Sequence, residues 1–179
     1  MTRSQPMDEA SAANHPRPAD LPLYSRFLQR LHRRYADVLP LLPPGAPTRD
    51  SLTAALTALQ ATGLDTGAAL RVLRQLTLER LAQLDCRGQA PLEVVTHGMT
   101  WLAEVTLDIA WQQVMADLDA LHGAPTKADG QRAQMWIIGM GKLGARELNV
   151  SSDIDLIYVY DEDGETTGLP DGRGRISNH

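Results

Sequence analysis

Two aspartates in the C-terminal part of the chain have the type and spacing to bind metal ions. Asp153 and Asp155 flank Ile154 and lead into an apolar run that starts at Leu156. In a strand the two carboxylates point to the same side, about 6.6 Å apart along the chain, while Ile154 and Leu156 point into the core. Such a pair can share cations held about 4 Å apart in two-metal sites, and Mg²⁺ favours few carboxylates completed by water and phosphate oxygens. The pattern predicts Asp153 and Asp155 as catalytic metal ligands for Mg²⁺ or Mn²⁺.

A glycine-rich turn precedes the aspartates. Gly139 closes the apolar run 135–138, and two further glycines follow it. A glycine turn after a strand lets backbone N–H groups approach a phosphate, and a lysine within it adds positive charge. The two serines before the aspartates either donate hydroxyls to the ligand or only form the turn. The candidate nucleotide- or phosphate-binding residues are Gly141, Lys142, Gly144, Ser151 and Ser152.

The same glycines also fit a dinucleotide-binding turn of the G-x-G-x-x-G type. Gly139, Gly141 and Gly144 follow an apolar run, and Asp161 lies about twenty residues further on, as that fingerprint requires. Against this interpretation, parallel strands need a crossover of about a dozen residues or more, usually helical. Only residues 145–148 favour a helix there. A Rossmann-type dinucleotide-binding domain therefore stays as an alternative, together with a non-catalytic helical interaction fragment.

The longer string around these residues resembles a known enzyme family. The pattern resembles that of the nucleotidyltransferase superfamily that includes DNA polymerase β: a hydrophobic residue and a glycine turn, then about ten residues, then D-h-D-h, where h is a hydrophobic residue. The stretch from Gly139 to Ile157, GMGKLGARELNVSSDIDLI, and the last residues, RISNH, are similar to the N-terminal catalytic domain of bacterial glutamine synthetase adenylyltransferase/adenylyl-removing enzymes.

The resemblance implies a function that spacing alone does not give. In that family one nucleotidyltransferase domain removes AMP from a tyrosine of glutamine synthetase by phosphorolysis, releasing ADP, and a second domain adds AMP from ATP. PII signal proteins and glutamine set the balance. Glutamine synthetase, a PII signal protein, ATP or ADP and phosphate are the implied partners, and Mg²⁺ or Mn²⁺ is the implied cofactor. The metal-binding role carries over to Asp153 and Asp155, and the phosphate-side loop to Gly141, Lys142, Gly144 and Ser152.

Helical spacing of apolar residues dominates the chain before the glycine turn. The predicted helices run from Leu21 to Val38, from Thr48, Asp50 or Ser51 to Gly63, from Asp65 or Thr66 to about Asp85, and from Pro91 to Leu121. Two strands are predicted after them, at residues 135–138 and 156–160. The predicted fold class is α+β: an N-terminal helical region followed by the start of a polymerase-β-like nucleotidyltransferase α/β domain that is truncated.

These patterns divide the chain into four ranges. Residues 1–20 form a flexible tail, 21–123 the helical region, 124–132 a linker, and 133–179 the incomplete nucleotidyltransferase domain. No further strand is predicted after residue 164, and two strands cannot bury a sheet by themselves. We therefore expect an N-terminal fragment of a longer protein, with the third metal-binding carboxylate beyond His179.

Composition narrows the class of protein. The net charge of −5 lacks the basic excess of a non-specific nucleic-acid binder. The single cysteine, Cys86, excludes an internal disulfide. No apolar run reaches the roughly 18 residues of a membrane span, and no secretory signal is visible. The expected location is the cytoplasm, with no nucleic-acid or membrane partner.

Overall fold

The computed structural model describes residues 25–177, and their fold is α+β. In chain order the elements are α1 (Arg26–Arg34), a 3₁₀ turn (Leu39–Leu41), α2 (Arg49–Ala61), α3 (Thr66–Gly88), α4 (Leu92–His122), β1 (Pro125–Thr126), β2 (Met135–Gly139), α5 (Gly141–Gly144), β3 (Leu156–Tyr160) and β4 (Glu165–Thr166). The long helices precede the strands, as predicted. The predicted tail, the helix start at Leu21 and the last two residues lie outside the described residues.

Side-chain caps set the helix starts that the sequence predicted. Thr48 Oγ1 accepts a hydrogen bond from the Ser51 amide at 3.2 Å, and Ser51 Oγ accepts one from the Thr48 amide at 2.9 Å. This capping box begins α2, and the carboxylate of Asp65 caps α3 in the same way. Helix α1 is shorter than predicted: it ends at Arg34 rather than at Val38. The chain beyond it tightens into the 3₁₀ turn, which contains a proline.

Leucines of α2, α3 and α4 form the hydrophobic core. The buried residues of these helices include Leu52, Leu56, Leu59, Leu73, Thr77, Leu81, Leu102 and Val105. Full burial of one leucine side chain is worth about 1.5–3 kcal/mol, so this cluster is a main source of stability in the described part of the chain. No helix within residues 25–177 combines the length and apolar character of a membrane-spanning segment.

The strands form two separate antiparallel pairs. Strand β2 pairs with β3, with Met135 opposite Tyr160 and Gly139 opposite Leu156. Strand β1 pairs with β4. The range 124–132, predicted as a linker, thus contains β1, and β4 lies where no strand was predicted, because two-residue strands leave no alternating pattern to recognise. Whether 124–132 separates two domains stays a prediction.

The β2–β3 hairpin leaves much of its apolar surface exposed. Trp136 lies opposite Val159 and Ile138 opposite Ile157, and all four side chains are at least 39% exposed. Opposed residues of an antiparallel pair share a face, so these four form one apolar face. Leu156 is half-buried and packs against the helical core, as predicted. The hairpin therefore depends on the helices for most of its burial.

Candidate functional site

The glycine turn is the one-turn helix α5 that follows β2. Gly141 has a φ of +53°, in the left-handed region that favours glycine, and no atom lies within 4 Å of the position of a Cβ. Gly144 packs against the strand instead, since a Cβ there would lie 2.5 Å from the carbonyl oxygen of Gly139. Gly141 is therefore on the open side of the turn, and Gly144 allows the turn to fold back onto β2.

Two buried leucines fix the turn to the helices. Leu143 is 6% exposed and Leu148 is 2% exposed, and both belong to the core cluster formed by α2, α3 and α4. The sequence interpretation assigned this stretch to phosphate binding and missed both residues. Their signal in the sequence is that they are the two leucines in a largely polar loop. The helices thus support the candidate site directly.

The two aspartates lie just before β3. They had been predicted to lie within a strand, with both carboxylates on one side. The carbonyl oxygen of Asp155 accepts a hydrogen bond from the Met140 amide at 2.9 Å, so backbone pairing continues one residue past the strand. This bond brings Asp155 beside the start of the glycine turn. Ile154, predicted to be buried, is 38% exposed, so that prediction was wrong. Regular pairing has ended there, and no layer of the described residues covers the side chain.

The charged side chains of the candidate site have no partners in the described structure. Lys142, Asp153 and Asp155 are exposed and make no hydrogen bond or ion pair with any side chain in residues 25–177. By contrast, Asp161 lies 3.7 Å from Nζ of Lys127. Two free carboxylates match the oxygen donors that Mg²⁺ and Mn²⁺ prefer. No group of three acidic, histidine or cysteine side chains gathers within the described part of the chain.

Asn149 organises the two serines between the turn and the aspartates. Its Oδ1 accepts hydrogen bonds from the Ser151 amide at 3.1 Å, from Ser151 Oγ at 3.2 Å and from Ser152 Oγ at 2.8 Å. Both hydroxyl protons are therefore used within the turn, which is one of the two roles predicted for these serines. An asparagine two residues before a serine is the sequence signal of such a turn. A role in phosphate binding stays a prediction.

A cleft of about 480 Å³ separates helix α4 from the strand and turn. Its lining includes Glu104, Asp108 and Trp111 from the helix and Ile137, Gly139 and Gly144 from the strand and turn. Arg146 spans this cleft: its Nη1 lies 3.0 Å from Oε1 of Glu104, and its guanidinium carbon lies 4.3 Å from the centre of the Trp101 ring. Trp101 packs against the helical core and is thus also a cation–π partner. The sequence interpretation missed this contact.

Two exposed groups that lie away from the turn have their pKa shifted by hydrogen bonds. The Tyr160 hydroxyl donates to Oδ1 of Asp163 at 2.7 Å, and this bond raises the pKa of Tyr160. The side chain and amide of Arg173 donate to Asp171 and lower the pKa of that carboxyl. Neither group lies near the free carboxylates.

The strand directions decide against the dinucleotide alternative. A Rossmann unit joins parallel strands through a crossover helix. Strands β2 and β3 are antiparallel, and a four-residue helix is the only helix between them. The G-x-G-x-x-G match at Gly139, Gly141 and Gly144 is therefore not part of a Rossmann unit. The helical interaction alternative is untested and stays a prediction.

Taken together, an α+β fold and two free carboxylates beside a glycine turn are features expected of a nucleotidyltransferase. Comparison with known proteins narrows this class. Residues 21–179 match the family described as glutamate-ammonia ligase adenylyltransferase. The chain belongs to this family.

The chain is similar to several bifunctional glutamine synthetase adenylyltransferase/adenylyl-removing enzymes. It is 50% identical to the enzyme of Bordetella pertussis over 111 residues, which cover 62% of this chain and 11% of the relative. It is 49% identical to the enzyme of Burkholderia pseudomallei over 111 residues, which cover 62% of this chain and 12% of the relative. It is 38% identical to the enzyme of Nitrosomonas europaea over 193 residues, which cover 98% of this chain and 19% of the relative. The chain therefore spans 11% to 19% of the length of these relatives.

Proposed function

We propose that this chain carries part of the active site of a cytoplasmic enzyme that removes AMP from a tyrosine of glutamine synthetase. Family membership supports an adenylyl-transfer reaction, and the names of the relatives include an adenylyl-removing activity. The observation that carries the proposal is the free carboxylate pair, Asp153 and Asp155, beside the glycine turn. Removal rather than addition of AMP rests on the resemblance of this region to the N-terminal domain of such enzymes.

The proposed reaction exchanges one phosphorus–oxygen bond for another. An oxygen of inorganic phosphate attacks the phosphorus of adenylyl-tyrosine, and the bond from that phosphorus to the tyrosine oxygen breaks. The tyrosine oxygen takes up a proton, so the products are ADP and unmodified tyrosine. Phosphate is already ionised at neutral pH, so the reaction needs no dedicated general base, in keeping with the lack of histidine from Gly139 to Tyr160. The main task of the protein is to hold the reactants in line.

Each candidate residue has a role in this scheme. Asp153 and Asp155 would hold Mg²⁺ or Mn²⁺, which when bound supplies positive charge for the phosphate oxygens. Lys142 is free to pair with a phosphate, and the backbone at Gly141 is open to its approach. Gly144 lets the turn lie on β2, while Ser151 and Ser152 shape the connection to the aspartates. ATP or ADP and a PII signal protein are the remaining proposed partners.

The product of the reaction tests this proposal. The protein expressed from its complete gene is incubated with adenylylated glutamine synthetase and Mg²⁺, with and without inorganic phosphate. We expect ADP, and we expect it only when phosphate is supplied. A chelator should stop its formation in the matched control. Free AMP formed equally well without phosphate would indicate a hydrolase and contradict the proposal.

A further inference from the structure

We propose that Arg146 is a positioning residue that holds the glycine turn and the aspartate segment against helix α4. The reaction that it serves is the one proposed above, so the catalytic part of this inference rests on that proposal. The contacts do not depend on it. Arg146 lies within the loop that joins Gly144 to the aspartates, and it is the loop residue whose charged group reaches the helix.

The guanidinium group of Arg146 makes two contacts with one face of α4. It lies over the ring of Trp101, 4.3 Å from the centre, and pairs with Glu104 at 3.0 Å. Residues three apart on a helix are neighbours on its surface, so the ring and the carboxylate form one docking point. A planar guanidinium can stack and pair at the same time, whereas a lysine ammonium is a point charge that cannot stack. The two contacts thereby fix both the orientation of the loop and its distance from α4.

The backbone conformation at Arg146 is one that would favour glycine. Its φ of +62° lies in the left-handed region, which residues with a side chain rarely adopt. The other non-glycine residue with positive φ in residues 25–177 is Gln89, the C-cap of α3. Glycine would adopt the conformation of Arg146 without strain. An arginine here accepts strain and places a charged group on α4, which points to a role for that group.

Arg146 lies between the two halves of the candidate site. On one side, the Glu147 amide donates to the Lys142 carbonyl oxygen at 2.8 Å and closes the turn. On the other side, the chain continues to Asp155, whose carbonyl oxygen accepts from Met140 at 2.9 Å. The loop is therefore closed at its ends and pinned in its middle. Movement at Arg146 would shift the lysine relative to the carboxylates.

We expect Arg146 to affect the geometry of the candidate site more than the stability of the fold. Its side chain is 44% exposed, and ion pairs at such positions contribute little to stability in water. The two buried leucines of the loop already supply apolar burial. A misplacement of about 1 Å, however, can cost about 100-fold in rate. Loss of the guanidinium should therefore lower activity with little change in the unfolding temperature.

Arg146→Gly and Arg132→Ala form a matched pair for the test. Arg132 also ties the strand region to α4, through contacts of 2.7 Å and 3.1 Å with Asp119, but does so at the far end of the helix from the turn. The measurements are hydrogen exchange of the Met140 and Glu147 amides, the unfolding temperature, and kcat and KM for phosphate. They are made on the protein expressed from its complete gene, with adenylylated glutamine synthetase as substrate.

We expect Arg146→Gly to speed exchange at both amides and to lower kcat about 10- to 100-fold, the range seen when residues that orient ligands are removed. The unfolding temperature should stay near that of the unaltered protein. Arg146→Lys keeps the charge but not the stacking and should restore part of kcat. Trp101→Leu should reproduce part of the loss, and the double variant should be no worse than Arg146→Gly alone, since that change already removes the stacking contact. Arg132→Ala should leave exchange at the two amides and kcat unchanged.

Unchanged exchange at both amides in Arg146→Gly would overturn the inference, and so would equal effects from Arg132→Ala. An active protein in which Arg146→Gly keeps full kcat also rejects the positioning role, while the proposed function stands. If the unaltered protein forms no ADP, the proposed function fails, and hydrogen exchange alone decides whether Arg146 holds the loop.

Discussion

The helical region and the strand region differ in how they are held together. Leu52, Leu59 and Leu73 in the helices are completely buried, whereas Trp136 and Ile157 in the hairpin are 53% and 46% exposed. The helices bury their apolar faces against one another. The hairpin has no comparable core and is anchored to the helices mainly through its connecting loop. The helices therefore support the less buried part of the chain, and the candidate site lies on that part.

Ion pairs occur in both regions, but the two candidate carboxylates take part in none of those found in the described residues. In the helices, the buried carboxylate of Glu79 pairs with His32 at 2.8 Å, and Arg49 pairs with Asp108 at 2.9 Å. In the strand region, Asp153 and Asp155 have no partner within the described residues. Charges that the fold leaves free are available to ligands. The contrast agrees with the proposal that Asp153 and Asp155 bind ligands.

The largest effect is expected from removing one free carboxylate. Asp153→Asn should lower AMP removal by orders of magnitude, because charge stabilisation is most of what a protein supplies in phosphoryl transfer. Circular dichroism should show an unchanged fold. Asp85→Asn is the control, since Asp85 is an exposed carboxylate near the end of α3, and it should retain the normal rate. Normal ADP formation by Asp153→Asn would refute the assignment.

The next effect concerns stability in the two regions. Leu73→Ala should lower the free energy of unfolding by about 2–5 kcal/mol, the usual loss for a large buried side chain. Ile157→Ala on the exposed face should change it by about 0.5 kcal/mol, as is usual for surface positions. Urea denaturation of the 179-residue chain measures both. Equal losses would show that the two regions do not differ in burial.

A smaller effect is expected at the lysine of the turn. Lys142→Ala should raise the KM for phosphate about tenfold, because a hydrogen bond to a charged group is worth about 1.5–3 kcal/mol. The Mg²⁺ concentration needed for half-maximal activity should change less. Lys127→Ala provides the control, since that lysine already pairs with Asp161 and lies away from the turn. A larger change in the Mg²⁺ requirement than in the phosphate KM would reject the role of Lys142.

Local signals made the helices and the glycine turn predictable. The capping residues Thr48 and Asp65 and the spacing of leucines act over a few residues, so the sequence displays them directly. The anchoring of the turn by Arg146 was not predictable, because its partners Glu104 and Trp101 lie more than forty residues away in the chain. Alternation failed at Ile154 because the regular strand starts only after it.

Within the candidate site, the residue types could be predicted but not their arrangement. Asp153, Asp155 and Lys142 were recognised by spacing, and the structure leaves all three exposed and free of partners in the described residues. Asn149 accepts hydrogen bonds from the hydroxyls of Ser151 and Ser152. These bonds depend on side-chain geometry, which cannot be read from a sequence motif.

Binding of Mn²⁺ tests most directly whether Asp153 and Asp155 hold divalent cations. The protein expressed from its complete gene is titrated with Mn²⁺, and electron paramagnetic resonance reports the free ion. Asp153→Asn and Asp155→Asn should each lose bound Mn²⁺ or bind it more weakly, whereas Asp85→Asn should bind as the unaltered protein does. The same number of ions bound with the same affinity after both carboxylates are replaced would contradict the metal site.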